Sequence, residues 1–311
     1  MKYYTYLLLL VLLSACDQPV SLSAQALTFE YSEDGVWVKE NDERIFFYQQ
    51  KTKSQNGEYP RANYVHPLYG LDGTVLTEDF PEDHLHHRGI FWTWHQVLIG
   101  DKRIGDAWTC ENISWDVYEV GGKQEDSTLY TKTHWKSPNW TDEQGEPQPF
   151  LAEETSIKIH SATENYRVLD FKISLLALVP DLKIGGSEDV KGYGGFSVRM
   201  KLPEDLKFTS TNGAVTAQTE AVEAGPWMDM SGSLAADGGS AGIVVMAHPD
   251  NPSPVDQWIL RTKNSMQNPV YPGQEPVLVS DKESTVLRYR LVVYQGEITE
   301  QEVNNLYKKT K

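Results

Sequence analysis

The run Val168-Leu169-Asp170-Phe171-Lys172-Ile173-Ser174-Leu175 alternates apolar and polar residues before passing into fully apolar sequence. A period of two divides side chains between the faces of a strand and makes no stripe on a helix. Shorter runs of the same kind precede it: Leu27 to Tyr31, Val36 to Val38 and Arg44 to Tyr48. Glu33-Asp34-Gly35 and Glu40-Asn41-Asp42 separate them with turn chemistry, as in an antiparallel meander. Further strands are expected at Ser114 to Val120, Leu129 to Trp135, Glu154 to His160, Gly192 to Met200, Val215 to Thr219, Gly242 to Ala247, Trp258 to Thr262, Val277 to Val279 and Leu287 to Val293. The one helix expected is the last segment. There Thr299 and Glu302 form a capping box ahead of Val303, Leu306 and Tyr307. Many short strands with one short C-terminal helix predict an all-β chain folded as a large antiparallel β-sandwich, the helix docked at an edge. No linker rich in Pro, Gly or Ser divides residues 26–311, which are expected to form a single domain.

The first residues follow another pattern. Lys2 is the only charge before Cys16, and the apolar run Leu7 to Leu13 leads into Leu13-Ser14-Ala15-Cys16. A basic start, a short apolar run and small residues describe an export signal over residues 1–15, too short to span a bilayer. The last four residues resemble the bacterial lipobox. That resemblance implies acylation of Cys16, a tether over residues 16–25, and a lipid-anchored place in the bacterial cell envelope. Cys110 then has no intramolecular partner, so stability must come from the core. The net charge of −16 becomes −17 once Lys2 is removed with the leader. So acidic a chain repels nucleic acid and anionic lipid surfaces, leaving the N-terminal lipid as its contact with membrane.

Asp83-His84-Leu85-His86-His87-Arg88-Gly89-Ile90-Phe91-Trp92, continuing to Trp94 and His95, concentrates four of the eight histidines. Read as a strand, it places His84, His86, Arg88 and Trp92 on one face and Leu85, His87 and Phe91 on the other, unless Gly89 introduces a bulge. Convergent titratable groups of this kind mark a site more often than a packing strand, where unpaired polar groups are costly. His66-Pro67 and His248-Pro249 are expected at strand ends, each with a histidine able to face a cleft.

Asp83 to Gly89 resembles a segment of a bacterial family that carries the name methane oxygenase PmoA. Tyr64-Val65-His66-Pro67, Tyr193 to Arg199, Trp227-Met228-Asp229 and His248-Pro249-Asp250-Asn251-Pro252 share the likeness and extend it over nearly the whole chain. The His84-x-His86 core is also similar, more loosely, to the Asn-His-Leu-His-Gly-Gly segment of the galactose mutarotase superfamily. That second resemblance implies a mutarotase-like supersandwich and a carbohydrate ligand.

Rearranging or cleaving a sugar needs a proton donor and an acceptor near working pH, which histidine supplies without tuning. His84, His86, His87 and Arg88 are the catalytic candidates, with Asp83, Asp229 and Asp256 as carboxylate partners. His66, Trp92, Tyr193, Arg199, Trp227, His248, Asn251 and Trp258 are candidates for holding the substrate, the aromatic rings as sugar platforms. Two alternatives stay open. His84 and His86 could begin a Zn or Fe site, as the oxygenase name would suggest. The chain could also bind a sugar without acting on it, although that would not need clustered imidazoles. The reading that follows is a carbohydrate-active lipoprotein, an epimerase, lyase or glycoside-hydrolase-like enzyme of saccharide utilisation.

Overall fold

The computed structural model describes residues 1–2, 27–253 and 256–310. The expected leader beyond Lys2, the acylated Cys16 and the tether to Gln25 lie outside the described residues. Two antiparallel sheets dominate. One has six strands in the order Leu27–Tyr31, Gly35–Glu40, Glu43–Gln49, Tyr64–Leu68, Ile90–Thr93 and Gly195–Val198. The other has nine, in the order Ser114–Lys123, Thr128–Thr141, Pro147–Ile159, Tyr166–Ala177, Thr285–Gln295, Ser240–Ala247, Trp227–Ser233, Lys207–Ser210 and Gly213–Val215. Smaller sheets close the ends. One of them pairs Gln96–Ile99 with Leu182–Gly185 and Lys102–Gly105. Among the described residues no helix is long and apolar enough to cross a membrane.

Alternation decides which faces meet. In Tyr166–Ala177, Leu169, Phe171, Ile173 and Leu175 are buried in a core shared with Val36, Phe46, Val65, Trp92 and Phe196 of the smaller sheet. Asp170 and Lys172 face outward between them. The all-β antiparallel sandwich expected from the sequence is therefore the observed architecture. Val215–Thr219 is the least accurate of the expected strands: pairing stops at Val215.

The helix Glu300–Lys308 starts where the capping box places it. The Thr299 side chain accepts from the Glu302 backbone N–H, and the Glu302 carboxylate accepts from the Thr299 N–H. Its position differs from the expected edge. Val303 and Leu306 pack on Trp227, Val168, Val244, Met246 and Val292, on the outer face of the middle strands of the large sheet. Those strands carry apolar residues on both faces at these positions, and a helix over mid-sheet removes the second face from water.

Candidate functional site

The histidine segment is not a strand. From Pro81 to Gly89 the chain turns twice, the His84 N–H donating to the Pro81 carbonyl at 3.0 Å and the His87 N–H to the His84 carbonyl at 2.8 Å. Pairing into the small sheet begins at Ile90. Arg88 sets this geometry from inside. Its guanidinium is fully buried and donates to the carbonyls of Leu85, His87 and Tyr59, with the Phe80 ring 3.6 Å from its centre. Gly89 lets the turn lie flat on the neighbouring strand, since a Cβ there would stand 2.3 Å from the Val65 carbonyl oxygen.

A turn spaces residues differently from a strand, and this reverses the expected grouping. His84 and His87, assigned to opposite faces, stack with ring centroids 4.7 Å apart and planes within 4°. His86 stands edge-on to both, at 5.6 and 4.6 Å. Arg88, assigned to the same face as His84, points into the protein.

These three imidazoles form one wall of a cavity of about 490 Å³. His95, Trp108, Thr109 and Tyr193 form another, and Lys191, Arg261, Lys263 and the loop to Met266 make up the rest of the lining. His95 lies between the strands Ile90–Thr93 and Gln96–Ile99, and Trp108 follows the strand Lys102–Gly105. The His95 ring stacks on the Trp108 indole with centroids 5.3 Å apart, and the Tyr193 ring stands edge-on to both at 4.9 Å. His87 meets the other side of this aromatic group, edge-on to Trp108 at 5.8 Å.

His95 Nδ1 lies 2.9 Å from Asp106 Oδ2, and Asp106 Oδ1 accepts the backbone N–H groups of Trp108 and Thr109. Burial alone would raise the Asp106 carboxyl, but the His95 hydrogen bond and charge, the Thr109 N–H and Arg103 outweigh it and hold the group below the usual carboxylate range. An ionised Asp106 fixes the His95 proton on Nδ1 and leaves Nε2 as the basic nitrogen. That Nε2, with His87 Nδ1 and Thr109 Oγ1, has no hydrogen-bond partner among the described residues. Burial pushes His86 down to about 3, reinforced by Arg61 and the neighbouring imidazoles, and His87 well below its ordinary value. Both are neutral at pH 7.

Of the other expected site residues, only Tyr193 reaches this cavity. His66 bonds Thr77 Oγ1 at 3.0 Å, and burial lowers it to about 4. Arg199 is buried and closes ion pairs with Glu78 at 2.7 Å and Asp83 at 2.7 Å, so it is a clasp under the histidine turn. Trp92, Trp227 and Trp258 are core residues whose indole N–H groups bond Glu153, Asn304 and the Gly225 carbonyl. Asn251 bonds both the N–H and the carbonyl of Arg288. His248 belongs to a separate hollow on the outer face of the large sheet, lined also by Asp170, Lys172 and Arg290, where it contacts the Thr310 carbonyl. Asp229 pairs with Tyr294 in the large sheet, away from the cavity.

His84 and His86, the pair that could begin a Zn or Fe site, stand edge-on with ring centroids 5.6 Å apart. Among the described residues no group of three or more His, Cys, Asp or Glu is arranged to hold a metal. Residues the sequence reading did not single out as site candidates are His95, Asp106, Trp108, Lys191, Arg261 and Lys263. A usable signal was present. After residue 16, the two longest stretches without Asp or Glu are 257–274 and 84–100, and both contribute to this lining.

Fold and site together define an antiparallel β-sandwich protein with a histidine-walled cavity. The chain belongs to a family of unknown function, DUF6807, whose model matches residues 35–308. No curated protein matches it. Among solved structures it is similar to the proposed mutarotase YeaD of Salmonella typhimurium, at 10% identity and a TM-score of 0.34, over 87% of this chain and 94% of that one. The chemistry of the site rests on its own residues.

Proposed function

We propose that the cavity binds a carbohydrate and carries out proton transfer on it, with His95 as the principal acid/base group and His86 or His87 as the second. The observation that carries this reading is the Asp106–His95 pair in the cavity wall, whose buried Nε2 has no hydrogen-bond partner among the described residues. An oriented imidazole with one free nitrogen can take a proton from a sugar carbon or hydroxyl and return it. Trp108 is buried beneath this wall, and the partly exposed Tyr193 ring standing edge-on to it gives a pyranose an apolar surface. The cavity is large enough for a monosaccharide and part of a second residue. Acylation at Cys16 would hold the enzyme at the cell envelope, where it would act on saccharides entering the cell.

The test is a panel of mono- and disaccharides followed by proton NMR, which separates anomer exchange, epimerisation, elimination and hydrolysis by product. His95→Ala and His86→Ala are each expected to lower turnover by roughly two or more orders of magnitude while the protein stays folded. Full activity in both folded variants would leave only a sugar-binding role.

A further inference from the structure

The chain carries 44 acidic residues against 28 basic ones, yet the lining of the histidine cavity contains no Asp or Glu. It contains Lys191, Arg261 and Lys263. The carboxylates behind the lining are already matched. Asp83 is held by Arg199, and Asp106 by His95 and Arg103. Asp189 is held by Lys191 at 2.8 Å and by the Ser187 hydroxyl at 2.8 Å. Arg261 and Lys263 have no carboxylate within ion-pair distance among the described residues, Asp189 acting on Arg261 only from farther off, so the wall keeps a net positive charge.

Arg261 is also oriented. Its Nη1 donates to the carbonyls of Gln218 and Leu260, and its Nη2 to that of Thr219. Three neutral carbonyls fix the guanidinium plane without neutralising it. Among the described residues the Nε–H has no acceptor and Nη2 makes one bond, to Thr219, so the guanidinium keeps donors for an oxyanion. In the same lining the Tyr193 ring, backed by the buried indole of Trp108, offers an apolar surface. A cation held in place beside aromatic rings and neutral imidazoles discriminates by charge as well as shape.

We propose that the ligand of this cavity is an acidic saccharide, whose carboxylate or sulfate is bound by Arg261 and Lys263 while its ring lies against Tyr193. This rests on the carbohydrate reading above and names the substrate class of the same site. Such a ligand also fits the protonation chemistry. Its negative charge would raise the depressed histidines toward their ordinary value when it binds, favouring the protonated acid in the complex.

The experiment is calorimetric titration of the protein with four methyl glycosides: glucuronic acid, its methyl ester, glucose 6-sulfate and glucose. The charged sugars are expected to bind roughly tenfold to a hundredfold more tightly than the ester and glucose, the range of a charge-assisted hydrogen bond. Which of the two charged sugars binds better distinguishes a carboxylate from a sulfate ligand. Arg261→Gln is expected to erase most of that preference. Lys263 is exposed, so Lys263→Gln gives a second variant with no folding burden. Equal binding of the acid and its ester, no saturable binding of either charged sugar, or an unchanged preference in both variants would overturn the proposal. The outcome is separable from that for catalysis. Charge-selective binding without any His95-dependent turnover leaves this inference standing and removes the enzymatic one, while turnover on neutral sugars alone does the reverse.

Discussion

His84 and His87 lie face to face, ring centroids 4.7 Å apart and planes within 4°, with His86 edge-on against both. Charging one ring of such a group disfavours charging the next, and burial disfavours the charge further. The consequence is a stability that depends on pH. His86 is held down to about 3 and His87 well below its ordinary value, against roughly 6.5 in an unfolded chain. Between those values the unfolded chain takes up protons that the folded one refuses, so stability falls as pH drops below about 6.5. His87→Gln should flatten the slope between pH 6.5 and 4.5, by at most about 1.4 kcal/mol per pH unit. Asp229, pushed up to about 6 by burial, works in the opposite sense in the same window, because its folded form keeps a proton that the unfolded form releases. The comparison is therefore between variant and parent, by urea unfolding at each pH. An unchanged slope would mean that His87 is already solvated or charged.

Asp106→Asn tests the orientation of His95 without removing the imidazole. The amide can bond His95 through its oxygen but supplies no charge, and it can also rotate to present a donor, which favours the wrong tautomer. Turnover should fall by roughly two or more orders of magnitude, mainly in kcat. A fall confined to KM would assign Asp106 to ligand binding or loop order instead.

The architecture was legible because its signals are local. Val168 to Leu175 alternates, Glu33-Asp34-Gly35 turns, and the Thr299–Glu302 box starts the helix where both residues stand. The location of the site was legible from the density of histidines, but its geometry was not. Whether Asp83 to Gly89 is a strand or a turn is decided by where Arg88 goes, and a guanidinium is equally suited to a ligand oxyanion or to three backbone carbonyls. Arg199 misleads in the same way, since its partners Glu78 and Asp83 lie over a hundred residues earlier. Arg261 was missed for the complementary reason. The acid-free run 257–274 sets its segment apart, but does not reveal that packing brings the loop after Gln257–Ile259 to Tyr193 and the histidines.

Cys16→Ala addresses location. If Leu13-Ser14-Ala15-Cys16 is read by the lipoprotein pathway, the variant should take up no labelled fatty acid and leave the membrane fraction, because bilayer retention needs more than one acyl chain or a further anchor. An unlabelled variant that stays with the membrane would sink the lipid anchor and point to a protein partner there.

The last prediction concerns Trp92, whose expected role as a sugar platform gives way to one inside the core. Its indole N–H donates to Glu153 Oε1 at 2.8 Å, and Trp135 donates to Oε2 at 2.9 Å. The Asn63 amide and the Thr155 hydroxyl complete the set around a carboxylate that is 1% exposed. Burial raises the Glu153 carboxyl in spite of these donors. Because Trp92 belongs to the small sheet and Trp135 and Glu153 to the large one, this polar cluster joins the two layers. Glu153→Ala would leave two indole N–H groups and an amide unpaired in an apolar interior. The unfolding free energy should fall by about 3–5 kcal/mol, as when one partner of a buried charged network is removed. Glu153→Gln keeps the shape but turns a donor toward donors, at a cost of about 1–3 kcal/mol. Trp92→Phe should destabilise too, through the lost hydrogen bond and the smaller ring, yet leave saccharide affinity at the parental value. Urea unfolding and calorimetric titration on the same three variants check both halves. A Trp92→Phe protein of parental stability but weakened sugar binding would return that tryptophan to the ligand site.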